Sequence, residues 1–172
     1  MYLEDFQPGQ HWAVPPVTVT AEQIIRFATE FDPLPIHTDP EQARASHFGG
    51  LIASGPMSFL LFLQHFNSTY PEVNAGGLVA GMNTCMEWLA PMRPDDSLQG
   101  EVEISGTEVR NDHNGAVHFA FTVRNQTGKV VLKASSKVCF LRRGDSSERP
   151  GLAQQPEQRQ SQGIDRDGLA EA

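Results

Sequence analysis

One short segment of the sequence, residues 31–57, contains the residue types that general acid–base chemistry uses. A carboxylate, Asp32, and an imidazole, His37, lie five residues apart with two prolines between them. Because prolines restrict the conformations of the intervening chain, the two side chains can be held in a fixed relation. A histidine and an acid placed in this way can share the proton transfers of a hydration or dehydration next to a carbonyl group.

Such a reaction also needs a hydrogen-bond donor for the carbonyl oxygen, which gains negative charge. Ser54 and Gly55 begin the most apolar segment of the chain, and the first N–H groups of a helix have no acceptor within that helix. A glycine at this point would let a substrate approach the backbone closely. We therefore assign Gly55, Ser54 and Gly50 to oxyanion and substrate binding.

Each of these residues also has a structural interpretation. Asp32 precedes a proline, which is typical of a turn that ends a helix, and His37 can simply pack against the next helix. A metal site that adds Asp39 and His47 to the pair lacks the helical histidine spacing or the cysteines of such sites. The sequence around Ser54 lacks the GxSxG elbow of acyl-enzyme hydrolases. By spacing alone, the Asp32/His37 pair is a weak signal of catalysis.

Two predicted helices flank the pair. Thr20 and Gln23 have the form of a capping box, and the apolar spacing after them predicts a helix over 21–31 that ends at the prolines. Asp39, followed by a proline, predicts a second, short helix through about residue 45. The pair is expected in the loop between these helices.

The rest of the folded part is expected to be one long helix and a sheet. Ser54 is predicted to cap the long helix, which is apolar on nearly all sides and should therefore be buried. Beyond Gly77 the hydrophobic period changes from helical to two. The pattern predicts long strands around 98–104, 117–123 and 130–140, turns at 111–115 and 125–128, and a shorter strand at 83–88. Together these elements predict an α+β fold in which the helix covers one face of an antiparallel sheet.

Composition sets the domain count. A chain of 172 residues, 39% of them hydrophobic, can bury one core and is too short for two ordinary domains. Residues 1–143 are predicted to form that domain. From Gly144 onward the sequence is rich in Gln, Ser, Gly and Pro, so residues 144–172 are predicted to be a low-complexity, disordered tail.

Charge and cysteine content exclude several classes of function. The formal net charge of −8, with no basic cluster, argues against a nucleic-acid partner. Cys85 and Cys139 have no CxxC spacing and are predicted to be small buried hydrophobes. The sequence has no signal-peptide pattern at its start and no apolar stretch long enough to span a bilayer, so we expect a cytoplasmic protein with no membrane contact.

The segment around the pair resembles a known family. Its order of residues is similar to the signature of MaoC-like dehydratases, the hotdog-fold relatives of R-specific enoyl-CoA hydratases: Phe27-Ala28, Asp32, Pro35-Ile36-His37, Asp39-Pro40, Ala43, Ala45-Ser46, Phe48-Gly49-Gly50, Ile52-Ala53 and Gly55. The stretches 88–96 and 125–128 resemble the same family, so the resemblance covers nearly all of residues 1–143.

The resemblance implies a single hotdog domain, with the sheet wrapped around the long helix. It implies a homodimer or higher homo-oligomer in which paired sheets cover exposed strand edges. Asp32 and His37 would activate a water for syn addition to a trans-2-enoyl thioester, with His37 favoured on the water and Asp32 near the α-carbon proton. The N–H of Gly55 would be the oxyanion contact. Coenzyme A would carry the substrate, and no redox cofactor or metal would be required.

The chain departs from the family pattern at three positions. Phe31 and Leu34 stand where the family commonly has Gly and Asn, and Ser54 stands where many relatives have His. Two alternatives therefore stay open. One is an acyl-CoA thioesterase on the same fold, in which Asp32 activates water against the carbonyl carbon. The other is a non-catalytic partner subunit of a hotdog dimer.

Overall fold

The computed structural model describes residues 1–144 of the chain. The helices are α1 (Ala21–Phe31), α2 (Pro35–Thr38), α3 (Pro40–Ala45), α4 (Gly55–Thr69) and α5 (Pro71–Asn74). The strands are β1 (His11–Thr18), β2 (Leu78–Trp88), β3 (Ser97–Val109), β4 (Asn114–Arg124) and β5 (Val130–Leu141). The predicted tail, apart from Gly144, lies outside the described residues. None of the helices within residues 1–144 has the length and apolar character needed to cross a membrane.

The five strands form one antiparallel sheet in the order β1-β3-β4-β5-β2. Helix α4 packs on the sheet through aromatic contacts, because the rings of Phe59 and Phe66 both meet Phe121 of β4 nearly edge-on. Such edge-to-face pairs stabilise the core beyond the burial of their area. The predicted α+β hotdog arrangement, a sheet around a central helix, is confirmed.

The predicted alternation of β3 and β4 is confirmed, and that of β5 holds in part, because Val131 and Cys139 are buried beside Leu132 and Phe140. In β3, Leu98, Val102 and Ile104 are fully buried while their neighbours Glu101 and Glu103 are exposed. The alternating residues of β4, from Val117 to Val123, are buried in the same way. Side chains of a strand point alternately to opposite faces, so this pattern fixes which face meets α4.

Strand β1 was not predicted, because Pro15 and Pro16 interrupt its pattern. The structure accommodates them in a strand at the edge of the sheet, where the register against β3 shifts between Val14 and Val17. A proline removes a ladder donor and is tolerated at edges and bulges. Helix α5, a single turn, was also not predicted.

Strand β2 is longer than predicted and forms the other edge of the sheet. Its only strand partner within residues 1–144 is β5, and nearly all of its residues are exposed. Cys85 was predicted to be buried and is exposed, because it lies on this edge strand, whereas Cys139 of β5 is buried as predicted. The exposed apolar residues of this edge are Leu78, Val79, Met82 and Trp88.

The caps of α1 and α3 are confirmed. Thr20 and Gln23 exchange the two hydrogen bonds of a capping box. The Asp39 carboxylate accepts from the N–H groups of Glu41 and Gln42, and the hydrogen bond from the Gln42 backbone, with further bonds, holds the pKa of this carboxyl below its usual value. Both helices therefore begin where the sequence predicts.

The burial of helix α4 departs from the prediction. Phe59, Phe62 and Phe66 are buried, but Leu60 is 49% exposed. The helix contacts the sheet on one side only, so the apolar residues of its opposite side remain accessible in a single chain. The prediction of a helix buried on all sides was wrong for this chain alone.

Candidate active site

The Asp32/His37 pair lies where α1 ends and α2 begins. Asp32 is the C-cap residue of α1, and its backbone N–H donates to the carbonyl of Ala28. His37 is buried in α2, a one-turn helix. The prediction of a loop here was wrong, because Pro35 occupies the first position of a helical turn, where its missing N–H costs nothing. The turn brings the two side chains onto the same side of the backbone.

The hydrogen bonds of His37 define its tautomer. Its Nδ1 lies 2.8 Å from the carbonyl oxygen of Ile52. A carbonyl oxygen only accepts, so Nδ1 carries the proton and, in the neutral ring, Nε2 carries the lone pair. That Nε2 lies 3.6 Å from Oδ2 of Asp32, which is longer than a direct hydrogen bond. The site therefore presents two neighbouring acceptor atoms, Nε2 of His37 and Oδ2 of Asp32. The His37 side chain is 7% exposed and the Asp32 side chain is 33% exposed.

Ser54 completes this cluster. Its hydroxyl donates to Oδ2 of Asp32 at 2.6 Å, and the residue is fully buried. Ser54 occupies the N-cap position of α4, yet it makes no capping hydrogen bond, so the predicted cap is wrong. The position of Ser54 beside Asp32, across 22 residues of sequence, follows from the packing of the start of α4 against the end of α1. Local sequence patterns do not contain that information.

A cleft of about 470 Å³ opens beside the cluster. His37 and Gly55, two of the predicted site residues, both line it. Apart from His37 and Ser58, its side chains are apolar or aromatic, as is usual in pockets for organic ligands. The remaining lining residues are Ile36, Phe48, Ile52, Ala53, Pro56, Trp88, Leu89, Ala90, Pro91 and Met92.

Gly55 lies against the indole of Trp88. A Cβ added at Gly55 would be 2.6 and 2.8 Å from two ring atoms of Trp88, closer than real side chains approach. Gly55 is the first residue of α4, so its N–H has no acceptor within the helix. The need for glycine at this position is therefore explained by the close approach of Trp88, a cleft residue for which the sequence contains no local signal. No spacing pattern connects residue 55 with residue 88.

Gly50 lies outside the cleft lining. A Cβ there would be 3.4 Å from Nη1 of Arg93, and Nη2 of the same guanidinium donates to the carbonyl oxygen of Phe48 at 2.6 Å. The Arg93 side chain thereby ties the loop before α4 to the segment after β2. An added Cβ would only touch this flexible side chain, so the contact does not require glycine, and the described residues give Gly50 no direct place at the Asp32/His37 pair.

The two departures from the family pattern beside Asp32 are both at the surface. Phe31 is 66% exposed and Leu34 is 50% exposed. Phe31 packs partly on Phe27, with ring centroids 5.1 Å apart. Two exposed apolar side chains therefore lie close to Asp32 in the chain, at positions where the family commonly has glycine and asparagine.

Comparison with known proteins identifies the family. The model of the MaoC-like domain matches residues 5–125 of the chain. An uncharacterized protein of Bacillus subtilis (strain 168), YdeM, is 31% identical over 148 residues, which is 83% of this chain and all of the relative.

Solved structures give the same result. The MaoC-like dehydratase from Rhodospirillum rubrum is 32% identical, with a TM-score of 0.66 and coverage of 84% of this chain and 99% of that one. The monoamine oxidase regulatory protein from Archaeoglobus has a TM-score of 0.75 at 25% identity, with 84% and 96% covered. An (R)-hydratase from A. caviae involved in PHA biosynthesis has a TM-score of 0.65 over 78% of this chain and 97% of that one. At 19% identity, this last likeness shows the common fold.

Proposed function

The chain belongs to the MaoC-like dehydratase family, and from that premise we propose that it catalyses the reversible hydration of an α,β-unsaturated acyl thioester. The two sides of the reaction would be a trans-2-enoyl-CoA and a 3-hydroxyacyl-CoA. The observation that carries this proposal is the pair of acceptors, Nε2 of His37 and Oδ2 of Asp32, held 3.6 Å apart. One substrate water can donate a hydrogen bond to each of these two atoms. Its oxygen lone pairs then point away from His37 and Asp32 and towards the substrate.

In the hydration direction the water oxygen bonds to C3 of the enoyl group while one of its protons passes to Nε2 of His37. The electron pair of the C2=C3 bond moves onto the thioester oxygen. The same proton then passes to C2 from His37, and not from Asp32, which the sequence predicted to lie near the α-carbon proton; the electron pair returns from the oxygen. Atoms and charge balance, and hydroxyl and hydrogen add to one face. Asp32 remains a carboxylate beside the transient imidazolium, which its negative charge stabilises.

Gly55 is the proposed donor to the thioester oxygen. Its N–H is unused within α4 and belongs to the positive end of the helix dipole, and Gly55 lines the same cleft as His37. A donor fixed before the reaction stabilises the developing enolate without reorganising. The apolar cleft walls suit the thioester and the adjoining pantetheine arm of coenzyme A.

A second copy of this chain is the proposed partner. Strand β2 is an edge strand whose exposed side chains include Val79 at 52% and Met82 at 41%. An edge of this kind is a template for strand pairing, and pairing with β2 of a second copy would give a closed, two-fold dimer. Trp88 ends this strand and lines the cleft, so such a dimer would place the partner close to the site.

The dimer is tested by sedimentation of Met82→Lys, since a lysine on an edge strand opposes pairing. We expect wild type to sediment as a dimer and Met82→Lys to shift towards monomer. The matched control is Val109→Lys, which changes a 64% exposed residue away from that edge. A monomeric wild type would contradict the proposal.

The reaction is tested by following the conjugated enoyl-thioester absorbance of trans-2-enoyl-CoA substrates, with free-thiol release recorded in parallel. Absorbance loss without thiol release is expected. Asp32→Asn and His37→Ala should each lower kcat by at least about 100-fold, whereas Glu30→Gln, a carboxylate change two residues before Asp32, should leave it unchanged.

Thiol release by wild type would instead indicate a thioesterase. Full hydratase activity in Asp32→Asn or in His37→Ala would remove the proposed mechanism. If purified wild type shows neither absorbance loss nor thiol release, the non-catalytic partner subunit would be favoured.

A further inference from the structure

The hydroxyl of Ser54 is used differently from that of a capping serine. At the N-cap of α1, Thr20 accepts from the N–H of Gln23. At the equivalent position of α4, Ser54 makes no such bond and donates to Oδ2 of Asp32 at 2.6 Å. A helix that leaves its cap position without a capping bond loses stability. The Ser54 hydroxyl is therefore bonded to the Asp32 carboxylate and does not stabilise the start of α4.

From this contact we infer that Ser54 is a positioning residue, which holds the Asp32 carboxylate in place beside His37. The inference rests on the proposed hydration reaction and adds a residue to it. The same oxygen, Oδ2, receives the Ser54 hydrogen bond and faces Nε2 of His37. Because Oδ2 accepts the Ser54 hydroxyl, the bond fixes the position of this oxygen beside the place that the water would occupy.

The two residues of this contact differ in burial. Ser54 is fully buried, and a buried hydroxyl needs a hydrogen-bond partner. The Asp32 side chain is one-third exposed, so without a fixed donor its carboxylate is free to turn towards solvent. The buried member of the contact, Ser54, therefore orients the partly exposed one, Asp32. His37 has a separate support, the carbonyl of Ile52, and so each member of the pair has its own positioning group.

The central test is the steady-state kinetics of Ser54→Ala on the enoyl-CoA substrate that wild type hydrates. We expect kcat to fall roughly 10- to 100-fold, the range for losing a hydrogen bond to a charged group, with KM changed by less than about threefold. Ser54→Cys fills the same space with a weaker donor, so its kcat should stay well below that of wild type. Wild-type kcat in either variant would overturn the inference.

Two further variants separate positioning from a structural role. Thr20→Ala removes a true cap and should lower the melting temperature by about 2–8 °C, with kcat unchanged. In the Asp32→Asn background the Ser54→Ala change should lower kcat by less than about threefold, since the carboxylate that Ser54 positions is gone. Additive losses in the double variant would show that Ser54 acts on something other than Asp32.

A crystal structure of Ser54→Ala tests the inference independently of turnover. The Asp32 carboxylate is expected to leave its position 3.6 Å from Nε2 of His37. An unmoved carboxylate would overturn the positioning role even if wild type proved inactive on every enoyl-CoA. Conversely, an inactive wild type together with a displaced carboxylate would refute the proposed reaction and leave the positioning contact standing.

Discussion

The contact between Gly55 and Trp88 predicts the effect of a single methyl group. In Gly55→Ala the new Cβ would lie 2.6 and 2.8 Å from two indole atoms, so the ring must move by about 1 Å to reach ordinary van der Waals distance. Overpacking of this kind costs about 1–3 kcal/mol. Trp88 is 48% exposed and can swing towards solvent, which places the cost at the lower end, near 1 kcal/mol.

Helix propensity works in the opposite direction. Alanine is favoured over glycine inside a helix by up to about 1 kcal/mol, and by less in the first turn. In Gly55→Ala we therefore expect a net loss of about 0.5–1 kcal/mol. The matched control is Gly106→Ala in β3, where the nearest atom to the added Cβ is 4.0 Å away. That variant should be at least as stable as wild type, because glycine weakens a strand interior.

Urea unfolding measures the stability of Gly55→Ala, and tryptophan emission measures the displacement of the Trp88 ring. The chain has two tryptophans, so in a Trp12→Phe background the emission reports Trp88 alone. In Gly55→Ala that emission should shift to longer wavelength as the indole becomes more exposed. Trp88→Ala should cancel the penalty, so that Gly55→Ala becomes neutral or stabilising in that background. A Gly55→Ala protein with wild-type stability and wild-type Trp88 emission would refute the reasoning.

Two other predictions concern stability. Phe62→Ala should destabilise the protein by about 3–5 kcal/mol in urea unfolding, because Phe62 is fully buried against the sheet, whereas Leu60→Ala on the exposed side of α4 should cost less than about 1 kcal/mol. An equal cost at Leu60 would mean that this side is covered in solution. At the N-terminus, the hydrogen bond from the Tyr2 N–H, together with Arg143, holds the pKa of the Asp5 carboxyl below its usual value. A carboxyl whose pKa is lower in the folded state stabilises the protein at pH values above its unfolded-state pKa, and this stabilisation is lost as the pH falls. The stability difference between wild type and Asp5→Asn should therefore be constant near neutral pH and shrink below about pH 4. A difference that grows on acidification would contradict this assignment.

Most of the regular elements were predictable because their causes are local. The capping box at Thr20, the Asp39 cap and the alternation of β3 and β4 depend on residues within a few positions of one another. The family signature around Asp32 and His37 is equally local, and it led to the fold and the family that the comparisons confirm.

The errors at β1 and at Cys85 share one physical origin, which is that neighbours in space override the local pattern. Strand β1 exists despite its two prolines because β3 offers it an edge position with a register shift. Cys85 is exposed because β2 is an edge strand. Neither fact is contained in a short window of sequence, since each depends on the order of the strands in the sheet.

The sequence by itself therefore determined the types of residue at the candidate site and the longer helices that flank them, α1 and α4. Only the tertiary structure decided what those residues touch. It turned Ser54 away from its helix and towards Asp32, gave His37 its tautomer through Ile52, and placed Trp88 against Gly55. These contacts join residues 15 to 33 positions apart, because the chain folds the start of α4 between the end of α1 and the end of β2. Hydrogen bonds and van der Waals contacts depend on distance in space and not on separation along the chain.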